Sequence, residues 1–565
     1  MNSETRNCQN CKKDFNIDPD DFAFYSKLNV PAPTFCNICR MQRRFMFRNE
    51  RTLYKRNCDL CKNSTISIFS PDKQSKVYCS KCWWGDDWDT GDYYLDYDPN
   101  KNFFEQMKEL QTKAPFMDKV SSFLTLENSD YVNHSAYCKN CYMITTADYC
   151  ENVYHSNILL NVKDSCDVTM VGPAELLYGS IGGGGSSRAF FSKNCTKSIN
   201  VWYSKDCVGC NDCFGCVNLR KKSHHIYNEP YSKEEYDKKI KEMELDKYSS
   251  HKKIREHIYD FWNKFPYRYV HGRMNTNVTG DYIVNAKNAK QCYRCQLIED
   301  SAYCQFITMS TFKDNYDVSE WGNGVELCID TVTVGEGANK IKYSSAVWNN
   351  VQDVEYSMYV INCSNCFGCV NLKKKQYCIL NKQYTKEEYF KLREQIISDL
   401  EKNPYVDSKG RIWKYGEFMP YDLAPFAYNE SFAQEYFPLT TEHILENGFK
   451  YIEPKKLDYK ETVMLDDIPD SIYDIQDEFV KEIIKCNCGK FYKIVAGELQ
   501  LLKRFGIPVP RQCPDCRHMF RMNLLNKPYL YERQCDKCGK DVQSSFAPDR
   551  PEIIYCESCY QQEVM

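Results

Sequence analysis

Residues 124–225 and 280–380 alternate short apolar, β-prone runs, such as SNILLNV and NVWYS, with Asn, Asp, Ser, Gly and Cys. Runs this short, closed by turn-forming residues, predict strands of a few residues rather than helices. Similar residues recur at spacings of six and twelve: Tyr131, Tyr137 and Tyr149; Cys195, Cys207 and Cys213; Cys366 and Cys378. That recurrence predicts strands stacked as rungs of a parallel β-solenoid. Because the hexad is not strict, a pair of irregular β-sandwiches is the alternative. Two helices stand out against this texture. SKEE at 232–235 and TKEE at 385–388 are capping boxes, with Ser232 or Thr385 as N-cap and Glu235 or Glu388 three residues on. They predict helices near 233–244 and 386–402.

Internal repeats organise the whole chain. In the middle, Cys138, Cys141 and Cys150 recur 154 residues later as Cys292, Cys295 and Cys304, and CFGCVNLRKK recurs as CFGCVNLKKK. At the ends, Cys11, Cys36, Cys39, Cys58, Cys61, Cys79 and Cys82 each have a cysteine 477 residues later. Only the first slips by one, Cys8 to Cys486, so that CxxC becomes CxC. Arg40 and Arg44 keep the same offset to Arg517 and Arg521. The predicted order is a tandem zinc-ribbon module (1–100), two solenoid-like repeats with helical closure (101–278 and 279–478), and a second tandem module (479–565). The fold class is mainly β.

Composition sharpens this picture. A chain of 565 residues suggests about four domains. A net charge of −3 gives no global field for a polyanion, so any nucleic-acid contact has to be a local patch. MNSETRNCQNCKK is polar and lacks the apolar core of a leader, and no apolar run reaches the roughly 20 residues that span a bilayer. The expectation is an intracellular protein, in cytoplasm or packaged in a particle, with no membrane contact. In a reducing compartment, 33 cysteines arranged in CxxC pairs point to metal rather than disulfides. No histidine sits at ligand spacing inside a cysteine cluster, so the sites should be all-thiolate.

Four such sites are expected. They are Cys8, Cys11, Cys36 and Cys39; Cys58, Cys61, Cys79 and Cys82; Cys486, Cys488, Cys513 and Cys516; and Cys535, Cys538, Cys556 and Cys559. Two two-cysteine knuckles close a tetrahedron around an ion that has no redox demand, which suits Zn2+. The expected content is about four ions. It rises to about six if Cys138 and Cys141 meet Cys213 and Cys216, with Cys292, Cys295, Cys366 and Cys369 doing likewise. Otherwise these middle cysteines are small buried core residues.

FYSKLNVPAPTFCNICRMQRR and ELQLLKRFGIPVPRQCPDCRHMFR resemble a short bacterial family, the probable zinc-ribbon domains, over about 35 residues per copy. The resemblance implies zinc ligation by Cys8, Cys11, Cys36, Cys39, Cys513 and Cys516 and little about activity; Cys486 and Cys488 depart from its spacing. The whole arrangement is also similar to cysteine-rich proteins of unassigned function in giant DNA viruses and small-genome bacteria.

Between the first two sites, RMQRRFMFRNERTLYKR (40–56) carries seven basic residues and one acid. Phe45, Phe47 and Tyr54 are interleaved and suited to stacking on bases. The C-terminal copy keeps Arg517 and Arg521 but has Phe520, Leu525, Pro528 and Glu532 where the first has Arg43, Arg48, Arg51 and Lys55. The shared arginines are therefore read as structural. Arg43, Arg48, Arg51 and Lys55 are the nucleic-acid contact candidates, against a plain solvated basic face. The sequence shows no nucleophile elbow, Walker loop or HExxH, and the run Gly182–Gly185 lacks the Lys-Ser/Thr of a phosphate loop. No catalytic residue is assigned. The expected function is zinc-stabilised binding of nucleic acid or a ribonucleoprotein. The alternative is a structural protein whose solenoid docks proteins or copies of itself, and the third reading is a carbohydrate-active solenoid.

Overall fold

In a computed structural model, which describes residues 2–455 and 459–564, the middle region turns a corner at every third residue. From His134 through Tyr137, Asn140, Met143, Thr146 and Tyr149, backbone φ is near +50° at three-residue intervals, and the series runs on to Tyr227. Four corners complete a turn, so strands pair in parallel with partners twelve residues apart, as in Thr145↔Asn157 and Ser187↔Ile199. The spacings of six and twelve are multiples of this smaller unit. L-residues resist the left-handed region, and Asn and Asp tolerate it best. That accounts for Asn128, Asn140, Asn152 and Asp164 at one corner, where each Asn amide donates to the residue twelve on.

The inward residue of each triplet is small. Val132, Ser135, Cys138, Cys141, Ile144 and Ala147 open the series, and all but one class of them recurs to Cys216, nearly all buried. Serine hydroxyls inside the coil donate to a carbonyl two residues back and accept a backbone N–H from the next turn, as Ser204 does with Trp202 and Cys216. Cysteine thiols donate to the same kind of carbonyl, as Cys207 does to Lys205. Serine and cysteine thus fill equivalent positions. The glycine run is part of a rung: a Cβ on Gly183 would fall 2.1 Å from the Cys195 carbonyl oxygen.

The second solenoid repeats this plan with wider turns. Tyr316↔Ile329 and Val347↔Val360 are thirteen residues apart before Cys366↔Cys378 restores twelve. Each coil ends in a short antiparallel hairpin and a helix, Lys233–Glu242 and Lys386–Lys402, with both capping boxes formed. Tyr236 and Tyr389 are buried against the last rungs.

The terminal modules pack crosswise. The helix Asn37–Phe45 of the N-terminal module lies on strands Tyr316–Gly322 and Ile329–Gly335 of the second solenoid. The helix Ala496–Phe505 of the C-terminal module lies on Glu151–Tyr154 and Val162–Cys166 of the first. Ile554 and Tyr555 extend this by pairing with Tyr267 and Arg268. Each module is therefore far in sequence from the coil it covers.

Cys138 and Cys141 do not meet Cys213 and Cys216. About six turns separate them, roughly 30 Å at ~4.8 Å per strand. All of the middle cysteines are buried, so the extra metal sites give way to core packing. Cys207, Cys210, Cys213 and Cys216 replaced together by Ser should leave metal content unchanged and unfolding in urea close to the parent's. Cys213→Leu should cost about 1–3 kcal/mol by overpacking. Loss of bound metal in the serine variant would contradict this packing role.

Candidate metal centres and buried arginine clamps

All sixteen predicted ligands come together as four quartets, each with its sulfurs mutually within 4.8 Å. In each, the second knuckle begins a helix: Cys36, Cys79 and Cys513 are N-caps, and Cys556 precedes Glu557–Val564. The backbone N–H of that cysteine donates to the first sulfur of its set, Cys36 to Cys8 at 3.2 Å and Cys513 to Cys486 at 3.3 Å. Such bonds and the helix N-terminus favour thiolate over thiol. The first knuckles turn through a left-handed residue just after their second cysteine: Lys12, Lys62, Gly489 and Gly539. Gly489 does this for the shortened CxC, which is how Cys486 and Cys488 still close their set.

Sulfur separations of 3.7 Å (Cys11–Cys36), 3.9 Å (Cys61–Cys79), 3.6 Å (Cys488–Cys513) and 3.8 Å (Cys538–Cys556) fit a tetrahedral ion. Bonds of ~2.3 Å to four thiolates place sulfurs roughly 3.8 Å apart. Four thiolates would fill the coordination sphere of such an ion, so the chemistry it would supply is structural cross-linking.

From these knuckles the helices Asn37–Phe45 and Pro514–Asn523 carry arginines into the coils. In the N-terminal clamp, Arg40 pairs with Asp317 at 2.8 Å. Arg43 pairs with Asp330 at 2.8 Å and Glu417 at 3.2 Å. Arg44 pairs with Asp317 and Asp330 at 3.1 and 2.9 Å and donates to Ser319. Arg48 pairs with Glu50 and Glu320 and donates to Thr333 of the second coil and Thr146 of the first. In the C-terminal clamp, Arg517 pairs with Asp167 at 3.1 Å and Glu498 at 2.9 Å. Arg521 pairs with Asp167 at 2.8 Å and donates to Thr169 and the His155 carbonyl. Asp167, Asp317 and Asp330 all occupy left-handed corners.

The contact candidates therefore fall differently from expectation. Arg43 and Arg48 are buried among carboxylates, where they cannot meet a phosphate. Arg51 is partly buried and ties the two modules together through Asp515 of the C-terminal one, at 3.0 Å. Of the four, Lys55 is exposed. The interleaved Phe45 and Phe47 are core residues. Arg40 and Arg44 were read as serving their own module; their carboxylate partners lie in the opposite coil. Those partners, Asp317, Asp330, Glu417, Asp167 and Glu498, carry no local motif in sequence. The one available signal was that arginines at i and i+4 recur in both copies.

Cys166, Asp167 and Glu498 form a further grouping of ligand-type atoms. Arg517 and Arg521 already neutralise both carboxylates. Against the raising effect of burial, Arg517 and His155 hold Glu498 down to about 2. A cation has no unpaired anion there.

No family model matches the chain, and no curated protein matches it. Among solved structures, one described as a putative acetyltransferase from Desulfovibrio desulfuricans G20 aligns at 9% identity over 51% of this chain and 86% of that one. Its TM-score of 0.11 carries no argument.

Two outcomes are expected. Fully folded protein should carry about four zinc ions by elemental analysis, and Cys36→Ser should carry about three. That variant should also lose protease resistance in its first 60 or so residues while the C-terminal module stays protected; iron in place of zinc would overturn the assignment. The second outcome concerns pH. Burial pushes Glu320 up to about 8 from an ordinary 4.5. A folded value above the unfolded one stabilises fully below about 4.5 and is lost as pH rises toward 8. Glu320→Gln should match the parent near pH 5 and exceed it near pH 8.5 by up to a few kcal/mol. Equal stability at both pH values would refute the shift.

Proposed function

We propose that this chain is a zinc-stabilised, non-catalytic scaffold whose solenoid faces dock another macromolecule, protein in preference to nucleic acid. The observation that carries the reading is the occupancy of the basic helix. Arginines that would mark a nucleic-acid surface hold the two coils to the two metal modules, and four closed four-thiolate sites support rigidity rather than turnover. At one corner of its first turns the first coil presents aromatic rings outward. Tyr137 and Tyr149 stack with ring centres 4.6 Å apart and planes 2° from parallel, each about half exposed. Leu124, the neighbour of the Thr125 that bonds the Tyr137 N–H, is 84% exposed. A stacked pair of exposed tyrosines on a rigid coil favours protein contact, since tyrosine offers large contact area at low entropy cost.

A photo-crosslinking residue at Tyr137 in the full chain should give discrete protein adducts that survive nuclease treatment. Adducts that vanish with nuclease, or binding of single-stranded RNA that falls steeply with salt, would return the reading to nucleic acid.

A further inference from the structure

The two clamps differ in charge balance. In the N-terminal one, Arg40, Arg43, Arg44 and Arg48 face four carboxylates, Asp317, Asp330, Glu417 and Glu50, with the carboxyl of Glu320 beside Arg48. Around the C-terminal one, positive charge is in excess. A cavity of about 220 Å³ lies between the first coil, the helix Tyr248–Trp262 and the C-terminal module. Five cationic side chains line it: Lys193, Arg255, Arg511, Arg517 and Arg521. Asp167 is the carboxylate in its wall, and it is engaged by Arg517 and Arg521.

The other three cations have no carboxylate within ion-pair distance among the described residues. Lys193 donates to the Leu524 carbonyl and Arg511 to the Ile468 carbonyl. Asp470, on the Arg511 side, accepts from Ser249 with both oxygens. Arg255 stands at the exposed rim with its guanidinium 5.1 Å from the Phe191 ring centre. Buried donors are left over as well: Arg517 Nη2 and Arg511 Nε have no acceptor. A buried guanidinium N–H without an acceptor is costly, and an anion removes that cost.

The rest of the wall is aromatic. Tyr178, Tyr248, Tyr259, Trp262 and Phe520 line the same space, and the Arg511 guanidinium carbon lies over the Tyr248 ring, 4.2 Å from its centre. Arginine forks suit phosphate oxygens, and aromatic faces suit a planar ring. The volume is below the ~300–1,000 Å³ of most ligand pockets, which limits the occupant to one planar ring system.

We infer that this cavity binds a small phosphate ester carrying a single planar ring system, with its phosphate on Arg255, Arg511 and Arg517 and its ring on the aromatic wall. The inference is independent of the docking function proposed above.

Calorimetric titration of the full-length, metal-loaded protein in low-salt buffer tests it with AMP, adenosine and inorganic phosphate. AMP should bind, adenosine should not, and phosphate should bind more weakly than AMP. Arg255→Gln should weaken AMP about tenfold or more, the loss expected for one charge-assisted hydrogen bond. Lys253→Gln, on an exposed position of the same helix, should bind as the parent does. Absence of heat with both AMP and phosphate overturns the site, as does an Arg255→Gln variant that melts and binds like the parent. Adenosine binding as tightly as AMP removes the anion role. Phosphate binding as tightly as AMP removes the ring.

Discussion

A guanidinium taken out of water must be met by carboxylates, and that requirement joins the four parts of this molecule. Breaking one partner out of a buried pair typically costs about 3–5 kcal/mol, because the other is left charged and unsolvated. Arg44 has two such partners on successive turns of the second coil, Asp317 and Asp330; Arg521 and Arg517 share Asp167 of the first. Register between helix and coil is thereby fixed at both ends. A helix carrying an arginine every four residues matches a stack whose turns advance by a strand spacing, so one helix face can address two consecutive rungs.

The clamps also explain why cysteine quartets flank the coils. A nine-residue helix such as Asn37–Phe45 is too short to be stable alone. The thiolate knuckle at Cys36 fixes its first turn, and the coil fixes its arginines. Cysteine quartet, helix and solenoid are thus linked in series, although Cys36 and Asp317 are far apart in the chain. Because the modules cross over, closing either one brings the ends of the chain onto coils that they do not adjoin in sequence.

Cysteine serves two unrelated purposes in this chain. At the ends it supplies thiolates held open by backbone N–H donors. Inside the coils it is a small apolar filler whose thiol donates weakly to a carbonyl, interchangeable with Ser at neighbouring inward positions. A coil that turns at every third residue has a narrow interior, which Val, Ala, Ser and Cys mostly fill, with Ile144, Leu159 and Leu177 among them.

The division between what was legible in the chain and what was not follows from range. The terminal quartets were legible because their cysteines obey local spacing, repeated at a constant offset; even Cys486 and Cys488 come together with Cys513 and Cys516 despite losing a residue. The parallel coil and its two closing helices were legible from recurrence at twelve and from Ser232–Glu235 and Thr385–Glu388. Its true unit of three was obscured, because left-handed corners accept Tyr, Thr and His as well as Asn. The fate of Arg43 and Arg48 was not legible at all. A basic amphipathic run has the same composition whether it faces a phosphate backbone or Asp330 and Glu320. Those partners lie more than 270 residues away, and no local pattern encodes them. The sequence by itself determined which terminal cysteines group together and that the middle coils in parallel. Only the tertiary structure decided which charges are buried together, since that depends on which surfaces meet after the chain has folded back across itself.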